Sequence, residues 1–325
     1  MKIFRFVLTV SHFFIIVLLL GTLLNAYIPP KVFPWFNLLS LAFPVLMIIN
    51  VLMIVFWIIL RKKRAFLFVM FSLILINPTR RWVNFSAKKA ESTNLKIVTY
   101  NVKGGAVDVK LNYTYLEKQN ADIILGQEYG AEFNIPGFEN RTRDYEIVAL
   151  NSKYKIVNQG KLTKTGNGNS FFADIDVNGK IIRFVNVYLN PFSFDKAQVK
   201  PGEDFETNSA KAKFIVKRLL PTFKVHQQEV AEIRTAIDNS PYPVILAGDF
   251  NSVPNSYEYY HLGKGLRDVF MEVGNGSSTS FHDYKFPIRI DYVFCSKEIK
   301  PVSYKVDRSV KVSDHFPVIA EFKIN

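Results

Sequence analysis

The sequence predicts an α/β domain from about residue 95 onward, preceded by N-terminal transmembrane helices. Three observations predict it. Two long stretches free of charge apart from the titratable His12, Phe6–Pro30 and Val32–Leu60, open the chain. Short runs rich in Val, Ile, Phe and Tyr, bounded by Gly, Asn, Asp or Pro, then recur to the end. Between them lie helix-spaced apolar faces such as Val225, Val230, Ile233 and Ile237.

Charge separates the two parts. No Asp or Glu precedes Glu91, yet eleven of the 41 Lys and Arg fall before it. The remaining thirty face 28 acids, so the net +13 is mostly an N-terminal property. Basic residues that flank apolar segments set membrane orientation. The near-neutral remainder gives no electrostatic footprint for tight duplex binding. Cys295 is the single cysteine, which excludes an intramolecular disulfide framework and a multi-cysteine metal site. It reads as a small core residue.

Phe6–Pro30 is long enough, at ~1.5 Å per residue, to cross a ~30 Å hydrocarbon core. Pro29-Pro30 ends it, and Val32–Leu60 supplies a second span in which Pro44 marks a kink or the true start. A second apolar run so close behind the first fits a cleaved signal peptide poorly. Arg61-Lys62-Lys63-Arg64, with Lys2 and Arg5, belongs on the cytoplasmic side. Ala65–Asn77 is apolar but short for a span. A third crossing is preferred over two, since the stretch lacks the polar face of an interfacial helix and its flanking arginines can snorkel. Three crossings place the following domain outside the cytoplasm; two would place it inside. Residues 1–77 thus form the membrane region, 78–94 a polar linker and 95–325 the globular domain.

Within that domain the expected strands are Leu95–Tyr100, Ile123–Leu125, Glu146–Leu150, Phe171–Asp176, Ile181–Leu189, Pro243–Leu246, Ile290–Phe294 and Pro317–Phe322. Two helices are expected, at about Thr207–Leu220 and Pro221–Asp238, the second opening on a proline. His226 and the basic run Lys211, Lys213, Lys217, Arg218 and Lys224 read as solvated helix faces. Many strands with interposed helices imply one α/β unit with a large core.

The chemistry-bearing residues sit at strand ends. Asn101 closes the first strand, and Gln127-Glu128 follows the second. Asp249 and Asn251 follow Val244–Ala247, Asp291 lies early in its strand, and Asp314-His315 precedes the last. Strand ends are where sites gather in open α/β sheets. Oxygen donors without a cysteine or histidine cluster suit Mg²⁺ or Mn²⁺ rather than zinc. A hard cation beside amide and imidazole donors suits a phosphoryl centre. Spacing alone leaves the individual roles open.

Thr99-Tyr100-Asn101-Val102, Gln127-Glu128, Gly248-Asp249-Phe250-Asn251, Arg289-Ile290-Asp291-Tyr292 and Ser313-Asp314-His315-Phe316-Pro317 occur in the order seen in the endonuclease/exonuclease/phosphatase superfamily. The resemblance covers about residues 95 to 325. It implies a four-layer α/β sandwich, two mixed sheets flanked by helices, and hydrolysis of a phosphoester by in-line attack of water. It implies that Glu128 is the principal metal ligand, with Asn101 near the metal or phosphate. Asp249 would orient or deprotonate the water, and Asn251 would hold the phosphate or help place that water. His315 would contact the scissile phosphate, Asp291 would fix its tautomer, and Asp314 would assist the metal or His315. Where many members carry a histidine, this chain has Tyr188, as abasic-site endonucleases do. Tyr188 is therefore either a phosphate contact or a packed aromatic.

The arrangement also resembles membrane-anchored bacterial members, implying a multi-pass protein of the bacterial inner membrane. The expected activity is Mg²⁺-dependent hydrolysis of a phosphodiester or phosphomonoester at the membrane. The substrate would be a nucleic acid, a phospholipid or sugar phosphate, or another small phosphate ester. No obligate protein partner and no organic cofactor is evident. A catalytically weak membrane-anchored binding scaffold is the alternative of another class; the clustered, mutually repelling acids speak against it.

Overall fold

In the computed structural model, the described residues are 2–86, 91–103, 109–129, 134–143, 145–192, 200, 202–283 and 287–324. Helices Lys2–Gly21 and Trp35–Ile59 form an antiparallel hairpin. Leu19 packs beside Phe43, and Ile16 lies near Ile54 and Trp57. The apolar interior is tied by one polar chain. Trp57 Nε1 donates to His12 Nδ1 at 3.0 Å, which leaves the His12 Nε2 proton to be donated to Asn50 Oδ1 at 3.0 Å. Asn50 Nδ2 in turn donates to Ser72 Oγ at 2.9 Å. Ser72 belongs to helix Arg64–Ile74, which returns along the hairpin. Phe68 stacks on His12, and Leu75 reaches Leu19 and Phe43. Arg64 bonds to Thr9 and lies 4.8 Å from the Trp57 ring, so Arg61–Arg64 and Arg5 share one end of the bundle. The other end meets the globular domain.

The first part of the stretch expected as a linker is docked. After helix Ile76–Arg80, strand β1 (Val83–Phe85) pairs with β11 (Asn275–Ser277). Buried Asn84 donates to the carbonyls of Phe270, Met271 and Gly274. Three residues are too few for a hydrophobic period to show in sequence.

The globular domain holds two six-stranded mixed sheets. One comprises β2 (Leu95–Asn101), β3 (Ile123–Gln127), β4 (Asn140–Arg141), β5 (Ala149–Ser152), β13 (Lys300–Val306) and β14 (Val318–Lys323). Its spatial order is β13-β14-β2-β3-β5-β4. The other comprises β6 (Ile156–Lys161), β7 (Phe171–Val177), β8 (Lys180–Tyr188), β9 (Val244–Asp249), β10 (Arg267–Asp268) and β12 (Asp291–Cys295). Its order is β10-β12-β9-β8-β7-β6.

Side-chain alternation builds the layers. Ile97, Ile123 and Val318 of one sheet face Phe184, Ile245 and Val293 of the other in the central core. Their neighbours point outward: Val98 and Ile124 pack near Leu116, while Val185 and Leu246 pack under Val230 and Ile233. Helix, sheet, sheet and helix make the four-layer sandwich expected from the sequence.

Two expectations are corrected. The two helices expected between residues 207 and 238 are a single helix, Phe205–Asp238, with Pro221 inside. An internal proline costs about 3 kcal/mol. Burial of Leu219, Phe223, Val230, Ile233 and Ile237 contributes roughly 2 kcal/mol apiece and outweighs it. Asp204 caps the start, accepting from the Thr207 N–H at 2.7 Å. Strands β6 and β13 were not expected. Both are sheet edges, where one face meets solvent and the apolar pattern fades; β13 also carries Pro301 and a register shift.

Candidate active site

Strand register carries the site residues to one end of the sandwich. Asn101 and Gln127 pair across parallel β2 and β3, and Tyr188 and Asp249 across parallel β8 and β9. Asp291 opens antiparallel β12 opposite Asp249, and His315 precedes antiparallel β14. Below them the sheets are bolted together. Gln127 Nε2 donates to Asn186 Oδ1 at 2.7 Å, and Asn186 Nδ2 donates to the carbonyls of Gly126 and Ala149, each at 3.1 Å.

The backbone is bent where the site needs it. Glu128, Asn251 and Lys103 have φ of 48°, 44° and 55°. Non-glycine residues rarely adopt this left-handed conformation, and it recurs at functional sites. Gly248 (φ 137°) lies so close to β8 that a Cβ would sit 2.0 Å from the Val187 carbonyl oxygen. That close approach brings Asp249 level with Tyr188.

Four acids converge. Asn101 Nδ2 donates both to Glu128 Oε1 and to Asp249 Oδ2, each at 3.0 Å. Tyr188 Oη donates to the same Glu128 oxygen at 2.9 Å. Asp249 Oδ1 accepts the Asn251 N–H at 2.7 Å, while Asn251 Nδ2 donates to the Leu189 carbonyl at 2.9 Å. His315 Nδ1 lies 2.8 Å from Asp291 Oδ2, and its Nε2 lies 3.8 Å from Asp249 Oδ2. Asp314 reaches the same cleft and pairs with Lys103 Nζ at 2.6 Å. Every site residue expected from the sequence therefore lies in one region.

Burial and charge set the proton affinities. Burial pushes the Asp249 carboxyl up to about 7; the His315 charge opposes this and the Asp291 charge adds to it. Burial would lower the His315 imidazole, but the carboxylates of Asp291 and Asp249 prevail and raise it to about 10. Burial, then the Glu128 and Asp249 charges, raise the Tyr188 phenol well above its ordinary value. Tyr188 is therefore a proton donor, not a phenolate.

The donor set fits a hard cation. Glu128 and Asp249 share the Asn101 side-chain donor, and Asp291 Oδ1 is buried with no hydrogen-bond partner among the described residues. Asp249, Asp291 and His315 offer ligand atoms within 4.8 Å of one another. Since His315 Nδ1 already serves Asp291, the carboxylates and the Asn101 amide oxygen are the better ligands for an ion of this class.

The sequence reading missed several residues. Lys103, which neutralises Asp314, follows Asn101 by two positions and carries no pattern of its own. His226, expected on a solvated face, is fully buried. It bonds to Glu258 at 2.8 Å and to the Asn190 carbonyl at 2.7 Å. Glu229 accepts from the N–H groups of Asn190 and Gly168. Together they fix the chain just beyond β8, whose Leu189 carbonyl holds Asn251. A signal existed: 219, 223, 226, 230, 233 and 237 form one helix face, and His226 lies on it. Cys295 is buried and burial pushes its thiol up to about 12, consistent with a core role.

Residues 98–315 match the Endonuclease/Exonuclease/phosphatase family, and residues 3–82 match a domain of unknown function (DUF8431). No curated protein matches the chain. Among solved structures, a humanized D. rerio TDP2 with 14 mutations is 16% identical, with a TM-score of 0.51 over 70% of this chain and 98% of that one. An endonuclease/exonuclease/phosphatase family protein from Bacteroides thetaiotaomicron is 18% identical, with a TM-score of 0.50 over 71% of this chain and 95% of that one. A mannosyl-6-phosphatase from Bacteroides thetaiotaomicron is 19% identical, with a TM-score of 0.49 over 70% and 99%. The first two likenesses share the two-sheet sandwich. With the family match spanning most of its length and this fold beneath it, the chain belongs to the Endonuclease/Exonuclease/phosphatase family, a group of phosphoester hydrolases.

Proposed function

We propose that the protein is a Mg²⁺- or Mn²⁺-dependent phosphoester hydrolase held at a membrane by its N-terminal helices. One observation carries the reading: the Asn101 amide bridges Glu128 and Asp249 within reach of an imidazole fixed by Asp291. Glu128, with the Asn101 amide oxygen, would hold the cation, which supplies Lewis-acid stabilisation of charge on the nonbridging phosphate oxygens. Asp249, raised towards neutrality, accepts a proton from the attacking water. The water oxygen bonds to phosphorus as the ester P–O bond opposite it breaks, and the leaving oxygen departs with that electron pair and takes a proton from solvent. Protonated His315 donates through Nε2 to a phosphoryl oxygen, and Asp291 holds it in that orientation. Asn251 steadies the phosphate. Tyr188 positions Glu128 through its hydroxyl, and Asp314, paired with Lys103, fixes the cleft wall.

The membrane setting is supported by the helical bundle. Lys2–Ala26 and Trp35–Ile59 are long and apolar enough to cross a bilayer. Their surfaces expose Phe14, Val17, Ile48, Leu52 and Ile58, which suits lipid contact. The globular domain meets the bundle at the end opposite Arg61–Arg64. If that basic end faces the cytoplasm, the catalytic domain is extracytoplasmic, and Arg64–Arg80 makes the third crossing.

The test is turnover of bis(p-nitrophenyl) phosphate by the detergent-purified full chain with Mg²⁺, Mn²⁺ or chelator. Hydrolysis restored by Mg²⁺ or Mn²⁺ after chelation is expected. Turnover that is unchanged by chelation, or absent for a panel of phosphoesters, contradicts the proposal.

A further inference from the structure

The catalytic cleft continues into apolar surface. Glu128, Asn251, Asp314 and His315 form one wall of a cavity of about 340 Å³. Leu41 of helix Trp35–Ile59 lines it from the membrane bundle, and Ile215, Leu219 and Phe223 line it from helix Phe205–Asp238. Phe192, just beyond β8, lines it as well. The volume suits an organic group rather than a bare phosphate. No Lys or Arg lines it among the described residues. A groove that tracks a nucleic-acid backbone would need such cations.

The membrane helix is held in this wall by specific bonds. Asn37 Nδ2 donates to both carboxylate oxygens of Glu258, at 3.1 and 2.9 Å, and Asn37 Oδ1 accepts the Tyr257 N–H at 2.7 Å. Leu41, one turn on, is thereby set against the cavity. Helix Phe205–Asp238 lies beside the turn of the hairpin, where Gln227 accepts the Lys31 N–H at 2.8 Å. Its exposed side carries Lys213, Lys217, Arg218 and Lys224. Cations at that level suit an anionic headgroup surface, while the face with Ile215, Leu219 and Phe223 turns to the cavity.

Resting on the phosphoesterase reading above, we infer that the substrate is an amphiphile: a phosphoester whose alcohol carries a hydrocarbon chain. The phosphate lies at Asp249 and His315. The first carbons of the chain lie between Leu41 and the Leu219–Phe223 face. Water oxygen bonds to phosphorus, the P–O bond to a leaving alcohol breaks, and that alcohol oxygen takes up the proton.

The experiment uses the full chain in one fixed detergent with Mg²⁺ and a series of alkyl p-nitrophenyl phosphates: ethyl, octyl and hexadecyl. Each buried methylene favours binding by up to roughly fourfold. The octyl ester should therefore exceed the ethyl ester in kcat/KM by ~10-fold or more. Leu219→Trp and Leu41→Trp, which fill the groove, should bring the octyl-ester kcat/KM down to that of the ethyl ester and so abolish the preference. A thermal melt like that of the unaltered chain shows that the fold survives in each variant. Equal kcat/KM for ethyl and octyl esters in the unaltered chain overturns the inference. So does a chain-length preference that persists in both variants, which would then come from partition into micelles, and so does faster hydrolysis of single-stranded nucleic acid. Failure to hydrolyse any ester with Mg²⁺ would instead overturn the phosphoesterase reading itself.

Discussion

His315 Nδ1 and Asp291 Oδ2 are 2.8 Å apart in a buried pair, and this contact determines which imidazole nitrogen faces the cleft. A carboxylate there holds the proton on Nδ1 and favours the imidazolium, leaving Nε2 to address the phosphate. Asp291→Asn removes the charge while keeping the shape. The expected result is a kcat lower by ~10²-fold or more, with the alkaline limb of the pH–rate profile moved to lower pH. A profile unmoved from that of the unaltered protein would show that Asp291 does not act through His315.

The buried charges also make stability depend on pH. The Asp249 carboxyl is raised to about 7 from an ordinary 3.8, so the folded state binds the extra proton. Stability from this group falls as pH rises from about 4 to about 7. The His315 imidazole is raised to about 10 from 6.5, so its contribution is full below about 6.5 and is lost as pH rises through about 10. Both effects have the same sign. Thermal melts of the chelated protein should show Tm falling from pH 5 to pH 9. Added Mg²⁺ should raise Tm more at pH 8 than at pH 5, because the ion competes with protons for the acids. Equal Mg²⁺ shifts at both values would contradict a carboxylate-held ion.

The strand framework of the domain and its site were legible for related physical reasons. Strands buried on both faces, such as Ile123–Gln127 and Val244–Asp249, leave continuous apolar runs, and the polar residue that ends each run stands out. Asn101, Glu128, Asp249 and Asp291 were visible in this way. Long-range packing hides the rest. Pro221 reads locally as a helix start, and only the sheet beneath it keeps the helix whole. Asn84 and Asn37 look like ordinary polar residues until their partners, more than a hundred positions away, are brought to them. Lys103 likewise gains meaning only from Asp314.

Asn37 joins the N-terminal helical bundle to the globular domain through Glu258, which His226 also holds. Asn37→Leu removes the donor that both oxygens of this buried carboxylate share. A hydrogen bond to a charged group contributes about 1.5–3 kcal/mol. The expected outcome is a Tm lower by several degrees and faster proteolytic separation of the bundle from the domain. A melt and digestion pattern like those of the unaltered chain would show that the two parts do not depend on this contact.

Topology can be read with introduced cysteines, because the single native thiol of Cys295 is buried. Lys224→Cys lies on the exposed side of the long helix, and Lys63→Cys at the basic end of the bundle. A membrane-impermeant maleimide should label Lys224→Cys on intact spheroplasts and Lys63→Cys only after permeabilisation. Labelling of both on the same side would contradict three crossings.

The most direct measurement is the Mg²⁺-dependent single-turnover rate of the full chain and of Asp249→Asn on one phosphodiester. Asp249 bonds to the Asn101 amide, lies 3.8 Å from His315 Nε2 and lies opposite Asp291, so it sits where these three groups meet. The chemical step should slow by ~10²-fold or more, while substrate affinity changes far less. A rate matching that of the unaltered protein would remove Asp249 from the chemistry and with it the convergent site described above.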